Sequence, residues 1–237
     1  MNQPDNDLEH YLDKHYIHKS NWLRAAVLGA NDGILSVASI AIGVTTANNG
    51  RHPIVLAALA GLVAGALSMA AGEYVSVSSQ TDLEQADIER EKQELAEMPE
   101  IELQYLTEIY EKRGLQKETA KQVAIELTQN NALQAHLRDE LGLNEITKAN
   151  PIQAALASAA AFTSGGILPV MITLLFPLDY LEYYLYGFSI IFLMLLGAFA
   201  AKTGGSSPKK AVIRITLWGT IAMVLTAFVG YLFGVNL

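Results

Sequence analysis

Five long stretches of this chain carry almost no charge, and no other feature of the sequence limits its fold so severely. Asp32 is the single charged residue between Ala25 and Gly50, and His52–Gly72 holds no acid, lysine or arginine. Residues 149–178 run for 30 positions without charge, 183–201 for 19 and 215–237 for 23. A membrane-crossing helix needs roughly 20 mostly apolar residues. The pattern therefore predicts an all-α fold, a five-span transmembrane helical bundle, with spans near 24–48, 53–79, 150–177, 181–202 and 210–235. A soluble protein with buried helices is the competing interpretation, and five such blocks in 237 residues weigh against it. A cleaved signal peptide does not fit, because the first apolar block follows a polar stretch.

Charge divides the chain into a cytosolic N-terminal segment (1–23), spans 1–2 (24–79), an acidic helical insert (80–148) and spans 3–5 (149–237). The insert holds 16 acids against 8 bases, so the whole net charge of −8 lies in it. Lys14, Lys19 and Arg24, the bases of the insert, and Lys202, Lys209, Lys210 and Arg214 fall on one side of the alternating spans, leaving only Arg51 on the other. By the positive-inside rule the N-terminus and the insert are cytosolic and the C-terminus is on the far side of the membrane. Good helix formers dominate the insert. Its breaks at Pro99, Gly114, Asn130-Asn131 and Gly142 predict a continuation of the second span to about Ala96, then helices near 100–113, 117–129 and 132–141.

Several function classes drop out. The acidic balance argues against a nucleic-acid partner. The absence of cysteine removes thiolate zinc sites, iron–sulfur clusters and cysteine nucleophiles. No phosphate-binding Gly-x-x-x-x-Gly-Lys stretch supports ATP drive, and no Glu-x-x-His pair supports a di-iron oxidase. An enzyme is not expected, nor a permanently bound cofactor.

The remaining polar residues point to cations. A carboxylate inside a span costs at least about 2.5 kcal/mol on insertion scales and usually marks an ion or proton path. Asp32 is such a residue, with Ser36 one turn on. Glu73 lies near the end of the second span, with Met69 one turn before it. A thioether beside carboxylates favours a softer ion than Mg²⁺ or Ca²⁺. In the insert, Glu84, Asp87, Glu91 and Glu94 share one helical face, Glu102 and Glu108 follow on the next helix, and His136 and Glu140 are one turn apart on the last. Carboxylates suit divalent ions, and one imidazole shifts the preference toward transition metals. A solvated acidic face, offset by Arg90, Lys92 and Arg138, would produce the same spacing. The histidines at 10, 15 and 18 fit an interfacial amphipathic helix better than a metal site. Paired glycines at 29 and 33 and at 61 and 65 permit close helix approach, and five helices enclose a pathway poorly, which favours a homodimer.

Trp22-Leu-Arg-Ala-Ala-Val-Leu-Gly-Ala-Asn-Asp-Gly-Ile-Leu-Ser36 resembles the first span of the vacuolar iron transporter family, in its bacterial iron/manganese branch. Ser68-Met-Ala-Ala-Gly-Glu-Tyr-Val-Ser-Val-Ser-Ser-Gln80 resembles the second. Pro99 through Gly114, Glu140-Leu-Gly-Leu143 and Gly165-Gly-Ile-Leu-Pro169 match in order. The resemblance implies a five-span homodimer that exports Fe²⁺ or Mn²⁺ from the cytosol against protons, with Zn²⁺ or Co²⁺ as surrogates. It also implies a cytosolic helical metal-binding domain that loads the path. By position, Asp32 and Met69 match the family's intramembrane ligands, and Glu91, Glu94, Glu102 and Glu140 match carboxylates of its cytosolic site. Gly61 stands where some members place a second membrane carboxylate, a role open to Glu73. Tyr105 replaces one cytosolic Glu, with Glu108 as substitute, and His136-Leu137 replaces a Met pair. The alternative class is a membrane-anchored metal sensor or scaffold that binds cations without transport.

Overall fold

The computed structural model describes residues 20–47, 50–143 and 150–234. The histidines at 10, 15 and 18, Lys14 and Lys19, and the tail beyond Gly234 lie outside the described residues. The described residues form helices joined by short turns: α1 (Ser20–Ala47), α2 (Arg51–Glu97), α3 (Pro99–Lys112), α4 (Lys117–Asp139), α5 (Pro151–Leu175), a 3₁₀ turn (Leu178–Tyr180), α6 (Leu181–Thr203) and α7 (Pro208–Gly234). Among the described residues five segments are long and apolar enough to cross a membrane: Ala25–Ala47, Arg51–Glu97, Pro151–Leu175, Leu178–Thr203 and Pro208–Gly234. The protein is thus a multi-pass helical membrane protein. It divides into two compact units, with boundaries at Glu73/Tyr74 inside α2 and at Pro151/Ile152.

The first unit is a bundle of α1, the start of α2, α5, α6 and α7. Its core joins Val37, Ala38 and Ala41 of α1 to Ile54 and Ala58 of α2, Phe162 of α5, Leu185 and Leu193 of α6 and Met223 of α7. Lipid tails are as apolar as these side chains, so close backbone packing has to hold the helices together. α1 and α5 meet through glycine: a methyl group on Gly33 would overlap the Phe162 carbonyl, and one on Gly165 would overlap that of Ala30. α2 packs beside α1, with Gly61 against the Ile40 side chain. The far end of α5 is closed by Arg51. Its Nη1 donates to the carbonyls of Thr173 (2.6 Å) and Leu174 (3.0 Å), and its Nη2 donates to that of Phe176 (2.7 Å). Carbonyls at a helix C-terminus have no partner within the helix, and the guanidinium fork supplies one.

The second unit holds the last part of α2 with α3 and α4. Pro99 is the first residue of α3, where its missing N–H costs nothing, and Glu100 and Glu102 favour the positive end of the helix dipole. The helix ends in a Schellman motif. Gly114 has a φ of +99°, its N–H bonds the Glu111 carbonyl, and the Leu115 N–H bonds that of Tyr110. α4 bends where Asn130-Asn131 predicted a break. Asn131 leaves helical geometry (φ −162°, ψ 93°), and its side-chain oxygen accepts the Gln134 N–H at 3.0 Å, so it caps the second half of the helix. Leu106, Ala124 and Ala135 form the small apolar centre of the unit, flanked by Leu103, Ile109, Tyr110 and Leu127.

Candidate metal centre

Three helices of the second unit each turn an acid or an imidazole toward one point. Glu91 comes from α2, Glu102 from the first turn of α3, and His136 and Glu140 from consecutive turns at the end of α4. One ligand atom from each lies within 4.8 Å of the others. His136 is wholly buried, and Glu91 and Glu102 are only 3% and 8% exposed. Burial of this depth demands compensation, because an unpaired buried charge is expensive.

The compensation within the chain is incomplete. His136 Nδ1 lies 3.0 Å from Glu91 Oε1, 3.1 Å from Glu140 Oε2 and 3.7 Å from Glu102 Oε2. A ring nitrogen can donate one proton, so it cannot satisfy three carboxylates at once. The geometry favours the hydrogen bond to Glu140, leaving Glu91 Oε1 buried without one, and among the described residues His136 Nε2 on the far edge of the ring also has no partner. Burial pushes the Glu91 carboxyl above its ordinary range, and the neighbouring Glu140 charge adds to this against the opposing pull of His136. Burial likewise raises Glu102. A set of hard oxygens and one nitrogen, short of positive charge, fits a divalent transition metal.

A second network fixes the frame. Asp139 accepts hydrogen bonds from Tyr110 Oη (2.7 Å), Arg113 Nη1 (2.6 Å) and Arg138 Nη2 (2.9 Å). Arg113 Nη2 also donates to the Asp139 carbonyl (3.0 Å). The end of α4 that presents His136 and Glu140 is therefore tied to the end of α3. Nothing in the spacing singled out Asp139, because two of its three side-chain partners, Arg113 and Tyr110, are 26 and 29 residues away.

The other candidates are not among these four residues. Glu94 accepts from Arg90 Nε at 2.9 Å, and Glu108 accepts from Gln104 at 3.3 Å on its own helix. In the bundle, Asp32 is half-buried on α1, with Ser36 Oγ donating to its Oδ1 at 2.6 Å. Met69, also half-buried, packs against the core, and Glu73 lies one turn beyond it. Ile40 and Gly61 touch where α1 and α2 run antiparallel. Eight residues back along α1 and eight forward along α2, each about 12 Å at 1.5 Å per residue, bring Asp32 and Met69 to one level of the bundle. Asn31, beside Asp32, has a buried amide oxygen without a hydrogen bond. Its signal in the sequence was a polar residue within an otherwise apolar span, overshadowed by the acid next to it.

A bundle of membrane-crossing helices with a separate unit bearing a buried carboxylate–imidazole cluster defines a class of polytopic cation-handling membrane protein. Residues 23–231 match the VIT family, and the chain belongs to it. It is 43% identical to the vacuolar iron transporter of Acanthamoeba castellanii over 91% of this chain and 82% of that protein. It is 33% identical to vacuolar iron transporter homolog 1 of Oryza sativa subsp. japonica, over 93% of this chain and 78% of that one. It is 32% identical to homolog 2.1 of Arabidopsis thaliana, over 89% and 81%. The family is one of transporters, not enzymes.

Proposed function

We propose that this protein exports a divalent transition metal, Fe²⁺ or Mn²⁺, from the cytosol in exchange for protons. The observation that carries this is the buried set Glu91, Glu102, His136 and Glu140, whose Glu91 oxygen and His136 Nε2 lack hydrogen bonds. The relatives named as iron transporters support iron as cargo. The acidic unit is cytosolic on the positive-inside rule and collects the ion. Asp32 and Met69 then pass it through the membrane between two subunits of a homodimer, with Glu73 as the acid at the mouth of the path. The membrane is a bacterial inner membrane, with the N-terminus in the cytosol. Glu94 and Glu108, outside the buried set, attract the ion from solution.

Proton exchange follows from the ligand type. A carboxylate binds a metal only when deprotonated, so one group serves metal and proton in turn. Asp32 has Ser36 as its hydrogen-bonding partner on the helix and is the only acid between Ala25 and Gly72. Protein reconstituted in liposomes, loaded with Fe²⁺, Mn²⁺, Co²⁺ or Zn²⁺ with and without a pH gradient, tests the proposal. Metal flux should couple to proton movement in the wild type, and Asp32→Asn should abolish both while leaving a folded dimer. Normal flux in a correctly inserted Asp32→Asn protein would remove Asp32 from the path. Metal binding without any flux would favour a sensor.

A further inference from the structure

A cavity of about 780 Å³ lies on the side of the bundle between α1, α6 and α7, and neither Asp32 nor a residue of the acidic cluster lines it. Its walls are apolar: Leu28 and Leu35 from α1, Ala200 from α6 and Ile215 from α7. One charged side chain lines it, Arg214, with Trp218 one turn further along α7. Asn31 also lines it, as do Gly204 and Ser206 of the α6–α7 turn, which forms one edge. Leu28 and Trp218 are both more than half exposed, so the cavity opens on the side of the bundle rather than inside it.

The charge around this opening has one sign. Glu182 is the last acid in the chain, and Lys202, Lys209, Lys210 and Arg214 follow it unopposed. Among the described residues none of the four has a carboxylate within ion-pair distance. The rim is rigid, because the α6–α7 turn is itself a Schellman motif: Gly205 has a φ of +68°, its N–H bonds the Lys202 carbonyl, and the Ser206 N–H bonds that of Ala201. The positive end of the α7 dipole adds to the field at the same rim.

A cation path is a poor account of this cavity, since its only charge would repel a metal ion. The volume falls in the range of roughly 300–1,000 Å³ typical of small-molecule sites. An occupant must join an apolar body to an anionic head, and basic pockets between membrane helices suit anionic lipid headgroups. We propose that the cavity between α1, α6 and α7 binds an anionic phospholipid of the surrounding bilayer. An acyl chain fills the space between Leu28, Leu35 and Ile215, and the phosphate pairs with Arg214 and the lysines of the rim. Trp218, one turn further into α7 than Arg214, lies along the acyl chain below the headgroup. This assignment does not depend on the transport activity proposed above.

The test uses the full-length chain in detergent, titrated with dioleoylphosphatidylglycerol or dioleoylphosphatidylcholine and read by native mass spectrometry and by thermal unfolding. Phosphatidylglycerol should bind more tightly than phosphatidylcholine, by roughly tenfold or more, because basic groups near a membrane surface attract an anionic headgroup. Arg214→Gln should reduce that preference to less than threefold, and Arg214→Lys should keep most of it. Ala200→Phe, which fills the cavity, should weaken both lipids. Equal binding of the two lipids by the wild type overturns the proposal even if no variant folds. So does an undiminished preference in Arg214→Gln. The chain has no cysteine, so Trp218→Cys reports on the remaining occupant. Disulfide-linked dimers through that position would show a second copy seated on this face and overturn the lipid site, whereas their absence, with lipid bound, supports it.

Discussion

At the scale of single residues, the bundle depends on atoms that are missing. Gly33 and Gly165 let α1 and α5 approach until backbone faces backbone, and a methyl group on either would overlap a carbonyl oxygen of the other helix. A carbonyl cannot rotate aside as a side chain can, so the helices must separate. Overpacking typically costs about 1–3 kcal/mol, and Gly33→Ala or Gly165→Ala should lose at least that, seen as a lower unfolding temperature in detergent and poor recovery of the folded protein. Gly72 is the control, because nothing lies within 4 Å of the position its Cβ would take. Helix propensity alone should then make Gly72→Ala neutral or more stable, by up to about 1 kcal/mol. Equal losses at Gly33 and Gly72 would show that close approach is not what the glycines provide.

At the scale of elements, α3 and α4 are joined through Asp139. Burial pushes this carboxyl upward, but hydrogen bonds from Arg138, Arg113 and Tyr110 outweigh it and hold the group at about 2, below its ordinary 3.8. A carboxyl with a lowered folded-state value stabilises the fold above its unfolded value and loses that contribution as pH falls through the folded one. The loss should therefore run from about pH 4 down to about pH 2. Asp139→Asn should cost about 1–2 kcal/mol at neutral pH, after allowing for the exposed arginine partners, and should flatten this acid limb in helical circular dichroism. Glu91 and Glu102 are shifted the opposite way, so their strain is greatest near neutral pH and is relieved as the solution becomes mildly acidic.

Much of this was legible in the sequence. The spans announce themselves because an uncharged run of such length has few alternatives, and Asn130-Asn131 marks the bend in α4 because Asn caps helices well. The acidic stripe was legible only as one face of one helix. Spacing could not say that Glu91 would turn inward while Glu94 paired with Arg90, because that depends on which flank of α2 meets α3 and α4. His136 and Glu140 were visible as a pair one turn apart, but their meeting with Glu102 is a tertiary event. Arg51 looked like an isolated loop base, and its three carbonyl partners lie 122 to 125 residues away.

At the scale of the whole molecule, the proposed function divides the labour between the two units, and that division can be measured. Replacing Glu91, Glu102 and Glu140 together with Gln removes three anionic ligands and keeps helix-forming side chains. Hard divalent ions prefer carboxylates to amides. Half-maximal flux should then require roughly tenfold or more metal on the loading side, while maximal flux falls less than in Asp32→Asn. Glu94→Gln, outside the buried set, should leave the half-saturating concentration nearly unchanged. An equal effect of Glu94→Gln and the triple variant would show that bulk acidity, and not the cluster, concentrates the ion.

The bond between Arg51 and the end of α5 also bears on how the protein is made. Synthesis runs from the N-terminus, so the guanidinium is in place, at the head of α2, long before the ribosome reaches Thr173, Leu174 and Phe176. When the third span arrives, its last turn exposes carbonyls that hydrocarbon cannot solvate. The α1–α2 hairpin already offers the donors, and the expected consequence is that α5 docks on it during biogenesis. Arg51→Ala leaves several carbonyls without that donor, at about 1–3 kcal/mol for each that stays buried. The defect should appear first in assembly: in a translation-arrest series the variant should delay protease resistance until α6 or α7 has emerged, whereas the wild type acquires it once α5 is complete.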